Sequence, residues 1–310
     1  MRTDERLPSL AYEQTLVILD REQHKQHFVR EVMFRTSRRA FGFVVPTPTR
    51  PEVARVAKSP FERLRVRFPY KTIGLGLGSG TGQGFGSGRG GGGGVKILEV
   101  KKVGSFTAFV LAADDAQALA DWLKKYQLVT TPEADTWLAH YVRMKYFYVA
   151  MRYDPPAEDE KVAIGRTKSE TMRISFDSEL AYYPYFEPDP PAGRAPEDPR
   201  MLEVWYVSDE GSIPVALRTQ GKQRSWVRPF EEGSRYDKAQ RADLAEALGA
   251  DATLLPKGEL VVQRFADQKR SRVGFGDVVF VPEKLSPRRV DRLKPLLGVL
   301  DPSLIDGAGK

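Results

Sequence analysis

The sequence predicts an α+β fold with antiparallel and mixed sheets, and three observations carry that expectation. Short runs of β-branched and aromatic residues recur along the 310 residues, bounded by Gly, Pro or Asp. Fewer segments repeat apolar residues at helical spacing. The most legible stretch, residues 95–153, reads in order as a β-β-α-α-β unit. The composition agrees: 41% hydrophobic, 29% charged and 10% aromatic, with mean hydropathy −0.42, suits a soluble globular protein. It excludes a collagen, a coiled coil and a disulfide-stapled miniprotein. No run approaches the roughly 18 apolar residues that span a bilayer.

Residues 1–73 read as a β-rich part. Thr15 to Leu19, His27 to Arg35 and Phe41 to Val45 are strand-like, the last ending at the turn Pro46-Thr47-Pro48, and a three-strand meander is the simplest pairing. Pro51-Glu52-Val53 and Pro60-Phe61-Glu62 each offer a helix start with Pro in the first turn. Residues 74–94 contain 13 glycines among 21 positions and predict a mobile insertion, since so little side chain cannot offset the entropy of ordering. The GxGxxG match at Gly86, Gly88 and Gly91 is a product of that repeat. A dinucleotide site also needs a strand before it and a helix after it, and Val95 to Val103 reads as a strand.

Within residues 95–153, two strands flank Gly104, and Asp114 or Asp115 caps a helix whose Ala116, Leu119, Ala120 and Leu123 share a face. A second helix starts at Pro132, with Glu133 and Asp135 at its positive end and a stripe of Ala134, Trp137, Leu138 and Tyr141. Tyr146 to Tyr153 returns as a strand. Residues 154–200 form a Pro- and acid-rich connection containing the strand Met172 to Phe176. In residues 201–310, Leu202 to Val207 and Ile213 to Arg218 frame Asp209-Glu210-Gly211 as a hairpin. Ala239 to Leu248 is a helix stopped by Gly249, Glu259 to Phe265 and Asp277 to Val281 are strands, and Pro287 to Leu297 is a terminal helix. These parts are also compatible with one continuous domain.

The net charge is +7, but it is unevenly spread. Lys and Arg outnumber Asp and Glu by 15 to 8 in residues 1–73, and fall to 6 against 11 in residues 154–200. Arg35, Arg38, Arg39, Arg63, Arg65 and Arg67 are thus candidate anion contacts, for a polyanion, a lipid surface or the chain's own acids. There is no Cys, which excludes disulfides, thiolate nucleophiles and Cys-based metal sites. The polar start, Met1 to Pro8, predicts no secretory leader in this sequence.

Several phrases together resemble a family of bacterial proteins, domain of unknown function 2330. They are Phe41-Gly42-Phe43-Val44-Val45-Pro46-Thr47-Pro48, Pro51-Glu52-Val53, Phe61-Glu62-Arg63-Leu64, Gly94-Val95-Lys96-Ile97-Leu98, Val103-Gly104-Ser105-Phe106 and the segment from Leu111 to Leu123 around Trp122. The likeness is good over about residues 12–220 and looser beyond. It implies an exported or cell-envelope protein and transfers no catalytic residue. Relatives often carry a leader, and cysteines in the Gly-rich insertion; this chain reads Gly74-Leu75-Gly76-Leu77-Gly78 there.

Reactive side chains are otherwise scattered. His24 and His27 have a spacing that serves zinc on a helix, but the hairpin their neighbours favour points them to opposite faces. Asp114 and Asp115 are explained by capping. Tyr182, Tyr183, Tyr185 and Phe186, broken by Pro184, are the aromatics hardest to bury in so Pro-rich a stretch, and are candidate partner contacts. The expectation is therefore a non-enzymatic binding or scaffolding protein of the bacterial envelope or exterior that needs no cofactor. Its partner would be a protein or carbohydrate. The alternatives are a metal- or carboxylate-dependent hydrolase using His24 and His27, and nucleic-acid binding through residues 35–67, which is disfavoured.

Overall fold

A computed structural model of the chain describes residues 9–35, 41–69, 94–126, 128, 132–153, 166–188, 201–220, 223–268 and 272–284. The fold is α+β. Strands β1 (Ser9–Asp20) and β2 (Lys25–Arg35) form an antiparallel hairpin whose turn places His24 at φ 51°. β3 (Phe41–Thr47) and β4 (Glu52–Arg55) precede helix α1 (Phe61–Arg67). Then come β5 (Val95–Val103), β6 (Phe106–Ala113), α2 (Ala116–Lys125), α3 (Pro132–Arg143) and β7 (Phe147–Tyr153). Three short strands follow: β8 (Arg166–Lys168), β9 (Met172–Asp177) and β10 (Ala181–Tyr183). The rest is β11 (Met201–Ser208), β12 (Ser212–Gln220), β13 (Gln223–Val227), β14 (Glu231–Ala239), α4 (Arg241–Leu248), β15 (Leu260–Asp267) and β16 (Phe275–Pro282). Among the described residues, no helix is long and apolar enough to cross a membrane.

The strands build three sheets. The largest runs β14-β15-β11-β1-β2-β9-β4, with β8 also on β2; it is mixed, because β1 and β11 are parallel while its other pairs are antiparallel. The second runs β10-β16-β12-β13 and the third β3-β7-β6-β5. One face of the large sheet buries Leu16, Ile18, Trp205, Val207 and Val262 against Phe61 and Leu64 of α1 and Leu244 of α4. Its other face, with Val17, Leu19, Phe28 and Tyr206, shares a core with the other two sheets. Residues 1–73, 154–200 and 201–310 all contribute strands to the large sheet.

The structure corrects four sequence expectations. The proposed meander is only a hairpin: the outer edge of β2 is taken by β9 and β8, and β3 pairs instead with β7. Glu52 to Arg55 is a strand rather than a helix start, because β-branched Val53 is buried opposite Ile174 of β9. β11 and β12 are not a hairpin. Nearly every residue of β11 is buried on both faces, which demands a central strand, so it lies between β1 and β15 while the turn passes the chain to the second sheet. Lastly, the stretch beginning at Tyr182 is not a surface connection at its start, since β10 pairs with β16. The expectations for residues 74–93, 154–165, 189–200 and 287–297, and for Arg38 and Arg39, lie outside the described residues.

Candidate functional site

The site grows from the segment that follows β10. Tyr182 is fixed at its backbone by the Gln26 side chain, which accepts from Tyr182 N and donates to Tyr182 O, both at 2.7 Å. That clamp and the pairing with β16 turn Tyr182 inward. Tyr182, Tyr183 and Tyr185 are 1%, 2% and 0% exposed, so the expectation of an exposed tyrosine cluster is overturned; of the four aromatics only Phe186 reaches the surface, half-buried. The physical reason is that each ring has a polar partner for its hydroxyl or an apolar core to enter, which proline content alone does not reveal.

Three donors converge on Asp277 of β16. The hydroxyls of Tyr182 and Tyr141 donate to Oδ2 at 2.8 and 2.9 Å, and Phe186 N donates to Oδ1 at 2.9 Å. Burial raises the Asp277 carboxyl to about 6, against the pull of those hydrogen bonds, which favour the ionised form. Burial, followed by the charge of Asp277, raises both tyrosines well above their ordinary value, so they stay protonated donors. A carboxylate so engaged works as an anchor.

What it anchors is an aromatic ledge. Leu138 and Tyr141 of α3 are buried, which leaves Trp137 and His140 half-buried on the helix flank. The Trp137 indole N–H donates to the Phe186 carbonyl at 2.8 Å, and the His140 and Phe186 rings meet edge-on at 5.2 Å. Phe186 is therefore held by Asp277 at its N–H and by Trp137 at its C=O. Beside the ledge, buried Arg272 bridges Asp267 at 3.2 Å and Glu187 at 3.0 Å and lies over the Tyr185 ring.

The other candidates are dispersed. His24 makes an exposed contact with Glu179 at 2.9 Å, whereas buried His27 meets Ser175 Oγ at 2.8 Å. Burial, then the positive charges of Arg173 and Lys25, lowers His27 to about 4 and keeps it neutral. The two histidines do not converge, and among the described residues no group of three His, Asp or Glu is placed to hold a metal ion. The Ser175–His27 contact joins directly opposite residues of β9 and β2, and satisfies two buried polar groups.

The arginines of α1 do not form a free anion surface. Arg63 donates to the Glu246 carbonyl at 2.7 Å, and Arg67 pairs with Asp243 at 3.5 Å and with Glu246. Arg65 reaches Glu203 at 3.3 Å, Tyr12 at 3.1 Å and Gln14. Arg35 pairs through its backbone with β1 and β8, and its side chain lies outside the description. Sequence reasoning missed Asp277, whose available signal was a lone acid inside the apolar strand Phe275 to Val281.

A family model described as an uncharacterized protein conserved in bacteria (DUF2330) matches residues 7–186. No curated protein matches the chain. Among solved structures, the crystal structure of baculovirus P35 is similar at 8% identity and a TM-score of 0.40, covering 88% of this chain and 97% of that one. Similarity at that level carries no argument.

Proposed function

The chain belongs to the DUF2330 family of uncharacterised bacterial proteins, and we propose that it is a non-catalytic binding protein of the cell envelope or exterior that contacts carbohydrate through the ledge of Trp137, His140 and Phe186. The observation that carries this reading is the double restraint on Phe186, whose N–H is held by Asp277 and whose C=O is held by Trp137. Rings already fixed in place supply flat contact area with little entropy left to lose, which suits stacking against sugar rings. The carboxylate that holds them has its oxygens occupied by three donors, which favours a supporting role over proton transfer. The envelope assignment rests on the family resemblance.

The test is co-sedimentation of the purified chain with peptidoglycan sacculi. Wild type is expected in the pellet and Phe186→Ala in the supernatant, with circular dichroism unchanged. Wild type remaining in the supernatant, or Phe186→Ala pelleting equally, would overturn the proposal.

A further inference from the structure

A second surface, separate from the ledge, lies at the opposite edge of the third sheet from β3. β5 pairs with β6 along its inner side from Val95↔Ala113 to Val103↔Phe106, and no described strand pairs with its outer side. Its outward N–H and C=O groups are a ready template for another strand.

Residues directly opposite in a sheet share a face, so the register sorts the side chains of β5. Val95, Ile97 and Val100, followed by the exposed Lys102 at the end of the strand, share a face with Ala113, Leu111, Phe109 and Thr107, and α2 lies on that face because the Phe109 ring meets Trp122 at 5.2 Å. Ile97 and Val100 are nevertheless 40% and 55% exposed, so the apolar face runs on past the cover of α2. Lys96, Glu99 and Lys101 share the other face, where Lys96 and Lys101 are exposed and the Lys101–Glu99 pair is loose at 3.9 Å. The irregularity at Leu98, between Ile97 and Glu99, shifts the alternation by one residue, which brings Ile97 and Val100 onto one face and Lys96 and Lys101 onto the other.

We infer that the outer edge of β5 docks an extended polypeptide segment whose residues alternate between acidic and apolar, added to the third sheet as a further strand. The apolar residues of such a segment lie beside Ile97 and Val100, and its acids lie beside Lys96 and Lys101. Two copies of β5 pairing antiparallel would bring their lysines to a common face, so the same charges that recruit an acidic strand oppose self-association. Main-chain hydrogen bonds supply affinity in this mode, and the two side-chain rows supply selectivity.

The experiment uses the full chain and a fluorescent peptide of about ten residues alternating Val and Glu, roughly the length of an ordinary long strand. Fluorescence anisotropy should show saturable binding, with slowed amide hydrogen exchange confined to Val95–Val103. A peptide of the same composition with its valines and glutamates in separate blocks should bind at least several-fold more weakly. Lys96→Glu with Lys101→Glu, two exposed substitutions, should weaken the alternating peptide about tenfold and favour an alternating Val and Lys peptide instead. Absence of saturation, equal binding of the block peptide, indifference to the charge reversal, or protection elsewhere than β5 would each overturn the inference.

Discussion

The Tyr182 hydroxyl lies 2.8 Å from Asp277 Oδ2 while Tyr182 is also paired through its backbone with Val279, two residues along the same strand. Side chain and main chain thus fasten β10 to β16 together, and the Tyr141 bond to the same oxygen extends the fastening to α3. The expense of this arrangement is a carboxylate kept from water.

That expense has a pH signature. Asp277 titrates near 6 in the folded chain, above the roughly 3.9 of an unfolded Asp, so between those values the folded state holds the extra proton. Its contribution to stability is greatest at the acid end of the window and is lost as pH rises through 6. Urea unfolding across the window should show this downward component removed in Asp277→Asn, on the order of 2–3 kcal/mol. An unchanged pH profile in the variant would contradict it.

His27 runs the other way. Its folded value of about 4 lies below the 6.5 of a free imidazole, so the unfolded chain takes up the proton first as pH falls. The stability it contributes is present above 6.5 and is lost on acidification toward 4. His27→Gln should remove that acid-side loss and leave the opposed slope of Asp277 uncompensated, so each single variant should be more pH-dependent than wild type while the double variant with Asp277→Asn returns close to the wild-type profile, as measured by thermal unfolding across the same buffers.

The arginines separate by burial. Arg272→Met strands Asp267 and Glu187 beside an apolar side chain, a loss of about 3–5 kcal/mol in urea unfolding. Arg67→Met gives up partly exposed pairs with Asp243 and Glu246 and should stay within about 1 kcal/mol of wild type. Similar losses for both would refute the distinction.

What could be read from the sequence was what is decided locally. Asp115 caps α2 by accepting from Ala118 N at 2.7 Å, and Leu119, Ala120 and Leu123 are buried as their spacing requires. The β1–β2 hairpin and the stop at Gly249, with φ 60°, are likewise local. The parallel pairing of β1 with β11 joins Tyr12 to Met201, and no neighbouring residue announces it. The burial of Tyr182, Tyr183 and Tyr185 is not legible locally, because it depends on Asp277, Asp267 and the β16 strand, all distant in sequence. The positive charge of α1 is legible in its residues, but its compensation by Asp243, Glu246 and Glu203 depends on where α4 and β11 come to rest. Trp137 kept the core-facing stripe expected of it only in part: its ring is half-buried and its N–H is spent on Phe186.

The most direct test of the ledge is the indole N–H spectrum of the four tryptophans, with Trp137 assigned by its disappearance in Trp137→Phe. On titration with soluble peptidoglycan fragments, the Trp137 resonance should shift saturably while those of Trp122, Trp205 and Trp226 stay in place. A Trp137 resonance that does not move at saturating fragment, or shifts confined to the other three, would contradict the account.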